Sequence, residues 1–93
     1  MLIAVTRLPG AGPLTFAVEV AQGAGATRHR VTVSAGDCAR LAGDATPERL
    51  VEAAFRFLLD REPKESILSR FDLSAIARYF PEFERELPRY LTA

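Results

Sequence analysis

An excess of charge of one sign is missing from this 93-residue chain: twelve basic and twelve acidic side chains cancel to a formal net charge of zero. Sequence-independent attachment to a polyanion draws on clustered basic groups, so nucleic acid and membrane surfaces are disfavoured as partners. Thiols are scarce. The single cysteine, Cys38, can form no internal disulfide and excludes a metal site built on several thiolates, and the cytosol is the expected compartment. The single histidine, His29, excludes a histidine pair or multi-histidine metal site within one chain. No apolar run approaches the roughly 18 residues of a membrane span. No basic segment precedes Leu2-Ile3-Ala4-Val5, so a secretory leader is not expected. Phosphate-binding fingerprints are also missing, since Gly10 and Gly12 belong to a proline-bounded turn and no Gly-Lys-Ser/Thr occurs.

What the chain does have is a core. Hydrophobic residues make up 48% and charged residues 26%, the balance of one folded domain rather than of a disordered segment. Lysine occurs once, at Lys64, and arginine fills every other basic position. With abundant alanine, this is the bias of a GC-rich bacterial genome.

The first third carries strand chemistry. Leu2 to Leu8 is β-branched and apolar, and Pro9-Gly10-Ala11-Gly12-Pro13 ends it. Leu14, Phe16, Val18 and Val20 alternate with Thr15, Ala17 and Glu19, the period of a sheet with one buried face. Ala21 to Thr27 is glycine-containing and reads as a mobile connection. A third strand over Arg28 to Ser34 sets His29, Val31 and Val33 against Arg28, Arg30 and Thr32.

Helix signals follow. Ser34-Ala35-Gly36-Asp37 has capping-box spacing and opens a short helix over about Ala35 to Ala42, with Cys38 and Leu41 inward and Gly43 at its end. Thr46-Pro47-Glu48 is a stronger start, with a threonine cap and proline at the first helical position. Val51, Ala54, Phe55, Leu58 and Leu59 form its buried stripe, and Pro63 stops it near Arg61. Pro63 then opens a helix with Ile67, Leu68 and Phe71 on one face. Asp72 caps another with Leu73, Ile76, Ala77 and Phe80, and a last one from Pro81 turns Phe83 and Leu87 inward before Pro88. The expected architecture is one α+β domain, 1–93. A three-stranded antiparallel meander over 1–34 precedes a helical C-terminal half over 35–93, packed on one face.

No residue pattern nominates a catalytic group, a cofactor or a metal. His29 reads as a packed imidazole and Cys38 as an inert inward thiol. Glu48, Glu52 and Asp60 follow the wet side of the long helix, and Glu82, Glu84 and Glu86 a wet flank. A strand with outward Arg28, Arg30 and Thr32 before two helices resembles a ribbon-helix-helix DNA-binding unit. The likeness implies a dimer whose paired strands enter the major groove.

A longer likeness lies downstream. Phe57-Leu58-Leu59-Asp60-Arg61-Glu62-Pro63-Lys64-Glu65-Ser66-Ile67-Leu68 is followed by Arg70-Phe71-Asp72-Leu73-Ser74, Ile76 and Tyr79-Phe80-Pro81-Glu82. The stretch from Phe55 to Tyr90 resembles a family of short bacterial proteins without an assigned function. The resemblance implies a shared fold and no chemistry. Within the motif, Arg61, Glu62, Lys64, Arg70, Tyr79 and Phe83 are the candidate surface for a protein partner, because tyrosine and arginine combine contact area with directional hydrogen bonds. The expected role is a non-catalytic protein-interaction or accessory module whose partner is another protein or a second copy. The ribbon-helix-helix dimer is the alternative, and a small enzyme of unknown reaction the third reading.

Overall fold

The computed structural model describes residues 1–92. Three strands open the chain: β1 (Leu2–Leu8), β2 (Leu14–Gln22) and β3 (Gly25–Val33). Helices α1 (Ala35–Ala42) and α2 (Pro47–Leu59) follow, then a 3₁₀ turn at Lys64–Ser66, strand β4 (Arg70–Asp72), and helices α3 (Ala75–Tyr79) and α4 (Phe83–Leu91). The fold is α+β, with a mixed sheet of four strands in the order β1-β2-β3-β4.

The meander forms as its alternation predicts, with β1–β2 and β2–β3 antiparallel. The connection after Ala21 is shorter than expected. Gln22 already pairs with Gly25, so only Gly23 and Ala24 turn the chain. Gly23 has φ of 63° and, among the described residues, no non-glycine has positive φ, so Ala24 does not, the signs required by a type II′ hairpin turn. The small residues from Gly25 to Thr27 therefore belong to the ladder.

The larger correction is β4. Ile67, Leu68 and Phe71 have helical spacing, yet the chain here is extended and Phe71 lies in a strand parallel to β3. The cause is nonlocal. Beyond β2, β3 still has backbone groups to satisfy, and they are met by Arg30 N–H donating to Ser69 (2.7 Å) and Leu73 N–H donating to Thr32 (2.8 Å). A parallel partner needs a long crossover, and the segment carrying α1 and α2 supplies it. Asp72, expected as a helix cap, ends this strand instead. Its carboxylate accepts from the Thr32 hydroxyl at 2.6 Å and from the Ser74 hydroxyl at 2.7 Å.

The caps of the first two helices are as read. Ser34 Oγ accepts from Asp37 N–H and Thr46 Oγ1 from Arg49 N–H, at 3.0 and 3.1 Å. Gly43, with φ of 60°, ends α1. Helix α2 ends at Leu59, slightly before Arg61, and buries more than one stripe, since Leu50, Ala53 and Phe57 join Val51, Ala54, Phe55 and Leu58. Leu59 is only half-buried. Helix α4 runs through Pro88 to Leu91, at the cost of the bond that Glu84's carbonyl would accept.

One core unites these elements. Phe16, Val18 and Val20 of β2 share a face with Val31 and Val33 of β3, and pack with the buried side chains of α2, α3 and α4. Phe57 is its aromatic centre, meeting Phe80, Phe83 and Tyr90 edge-on with centroids 5.0–5.9 Å apart.

Candidate functional site

The end of α2 delivers the chain into a groove. Arg61 and Glu62 N–H groups both fold back on the Leu58 carbonyl, at 2.9 Å, and Pro63 turns the backbone away. After the 3₁₀ turn the chain returns beside β3, where His29 Nδ1 lies 2.8 Å from the Leu68 carbonyl. Pinned there, Leu68 cannot turn inward with Ile67. Ile67 is buried, while Leu68 is 52% exposed. Helix α3 then closes the opposite wall and leaves Tyr79 69% exposed.

Between these walls lies an open depression of about 360 Å³, at the lower end of ligand-sized pockets. Its floor is formed by Leu58, Phe71 and Ile76, and its walls include Leu68, Tyr79 and Phe80. Glu62 and Ser66 supply polar side chains among these apolar ones. Burial pushes the Glu62 carboxyl above the ordinary carboxylate range. The groove thus offers apolar surface for an anchor and one carboxylate that gains from a cationic neighbour.

Only two of the six candidate surface residues meet here, Glu62 and Tyr79. Arg61 is engaged elsewhere. Its guanidinium lies 3.6 Å from the Phe57 ring centroid, donates to Glu82 at 3.1 Å and to the Phe57 carbonyl at 3.2 Å, and so knits α2 to α4. Lys64 is 9% exposed, with its ammonium on Glu65 at 2.7 Å and close to Gly25 of the hairpin. Arg70 pairs in register with Arg30 on β3. Phe83 is 1% exposed, so it contributes to the core and not to a surface, as its helical phase beside Leu87 requires.

Apart from Ser66 and Ala75, the groove residues missing from that set, Leu58, Ile67, Leu68, Phe71, Ile76 and Phe80, are large apolar ones. Their signal was present as an excess of apolar positions between Ile67 and Phe80, but a helical reading sends them all to a core. His29 is 5% exposed and fully engaged, with Nε2 2.8 Å from the Thr27 hydroxyl and its ring 5.3 Å from that of Phe55. Cys38 is a free, half-buried thiol against the core.

The arrangement gives little to the DNA-binding reading. Ribbon-helix-helix dimers pair free edge strands, whereas β3 lies between β2 and β4. Arg28 is countered in part by Glu19 at 3.5 Å. Among the described residues, no group of three or more His, Cys, Asp and Glu side chains could hold a metal ion, and no helix is long and apolar enough to cross a membrane. No protein family, curated protein or solved structure matches the chain.

Proposed function

We propose that this protein is a small non-catalytic interaction module whose groove between α2, β4 and α3 receives a protein partner. The observation that carries the reading is the exposure of Leu68 and Tyr79 on either side of an apolar depression. A large apolar side chain held outward by a backbone hydrogen bond is stabilised by a partner that covers it. The fitting ligand is a short segment with an apolar anchor and a nearby lysine or arginine directed at Glu62. Arg61, placed in the candidate surface by sequence, acts here through the fold by fixing the end of α2. The likeness of the 55–90 motif to short bacterial proteins adds no activity to this reading.

Selection from a random-peptide display library tests it. The expected outcome is enrichment of peptides that combine an apolar anchor with a basic residue and do not bind a Leu68→Asp variant. Failure to enrich any sequence, or enrichment of peptides that bind the variant equally well, contradicts the proposal.

A further inference from the structure

The opposite side of the sheet carries a second, independent feature: the free edge of β1. Which backbone groups point outward there follows from the hairpin. Across a two-residue turn, Gln22 and Gly25 form a hydrogen-bonded pair, so even-numbered residues of β2 bond to β3 and odd-numbered ones to β1. Thr15, Ala17, Glu19 and Ala21 therefore take Leu8, Thr6, Ala4 and Leu2 as bonding partners. The same parity turns Arg30 and Thr32 of β3 toward β4, where both are bonded. On β1 it leaves the N–H and C=O groups of Ile3, Val5 and Arg7 facing out of the sheet.

Natural sheets blunt such edges by keeping them short, or with proline, outward charge, a bulge or a covering element. The β4 edge follows that rule, being three residues long with Arg70 and Asp72 in it. The β1 edge does not. It is seven residues long, without proline, lysine or acid, and its register with β2 runs unbroken from Leu2 to Leu8. Its one charge, Arg7, lies on the face of Phe16 and is held by Glu48 through two bonds of 2.9 Å. Leu2 at its start is 64% exposed.

We infer that β1 pairs antiparallel with β1 of a second copy, with Val5 on the two-fold axis, joining the two four-stranded sheets. The choice of a second copy rests on self-complementarity. In this register Ile3 faces Arg7 of the second copy and Val5 faces Val5, so every outward N–H and C=O group of those residues gains a partner. A slip of two residues leaves some unpaired. Leu2 meets Leu8 on the outer face, Ala4 meets Thr6, and no like charges stand opposite one another. The half-buried Ile3 and Val5 at the rim of the core are covered by their counterparts.

Sedimentation velocity over a concentration series up to near-millimolar tests this, together with amide exchange and charge variants. The expected result is a dimer in which Ile3, Val5 and Arg7 amides exchange slowly, although among the described residues of one chain they have no hydrogen-bond partner. Ala4→Lys with Thr6→Lys, both on the exposed outer face, sets ammonium groups opposite one another and abolishes the dimer while far-UV circular dichroism is unchanged. Mixing that variant with Ala4→Glu plus Thr6→Glu restores association as a heterodimer. A wild-type chain that stays monomeric overturns the inference, and so do fast-exchanging Ile3, Val5 and Arg7 amides in a dimer. An edge that takes up only a foreign extended peptide gives that monomeric result.

Discussion

His29 donates from Nδ1 to the carbonyl oxygen of Leu68 across 2.8 Å, and this bond joins the middle of β3 to the connection leading into β4. A carbonyl can only accept, so a proton sits on Nδ1, while Nε2 lies 2.8 Å from the Thr27 hydroxyl. The same bond holds Leu68 on the rim of the groove. The single histidine thus positions the candidate site without lining the groove.

Replacing His29 by leucine leaves the Leu68 carbonyl without its donor and should cost about 1–3 kcal/mol. Denaturant titration measures the loss. Amide exchange at Arg30 and Leu73, whose N–H groups carry the β3–β4 ladder, should quicken more than exchange within the β2–β3 pair. Equal quickening everywhere would mean that His29 supports the core generally and not this junction.

Asp72 makes the second tie between these strands. Burial raises its carboxyl pKa, but hydrogen bonds from Thr32 and Ser74 outweigh that and hold it below the ordinary range. A depressed carboxylate contributes stability that is complete above its unfolded pKa and lost as pH falls through the folded value. Asp72→Asn should therefore cost about 1–2 kcal/mol near neutral pH, and the difference from wild type should shrink as the solution is acidified. A pH-independent gap would assign the loss to packing alone.

These two ties also explain what the sequence could and could not disclose. Strands β1 to β3 alternate, and α1 and α2 carry caps within a few residues of their first turns, so local chemistry suffices for them. Strand β4 has three residues, and its partners Arg30 and Thr32 lie far earlier in the chain. Only tertiary hydrogen bonds distinguish it from the helix that Ile67, Leu68 and Phe71 imitate. The candidate site inherits this limit. Glu62 and Tyr79 are legible as polar and aromatic positions beside helix breakers, whereas Leu68 becomes an outward residue only once β4 is in place. Phe83 shows the converse, because its spacing to Leu87 already marks it as core.

Leu58 belongs to both the core and the groove floor, with 4% of its surface exposed. Leu58→Ala should cost about 2–5 kcal/mol in denaturant titration, the range for deleting a buried leucine side chain. A loss below about 0.5 kcal/mol, the scale of surface substitutions, would show that the helical face has been misassigned.

Glu62 should trade stability for binding. A carboxyl whose folded pKa is raised disfavours the folded state once it ionises, so its penalty appears as pH rises through the acid range and persists at neutrality. Glu62→Gln is expected to raise the melting temperature at neutral pH and to weaken groove-binding peptides that carry a basic residue. A lowered melting temperature would show that the carboxylate is stabilised by a partner rather than strained by burial.

We propose the groove beside Leu68 and Tyr79 as the interaction site. Its most direct measurement is calorimetric titration of a selected apolar-basic peptide into wild type and into Leu68→Asp. The expected result is saturable binding to wild type, and a loss of at least about tenfold in affinity, or 1.4 kcal/mol, in a variant whose circular dichroism is unchanged. Equal affinity for both proteins would contradict it.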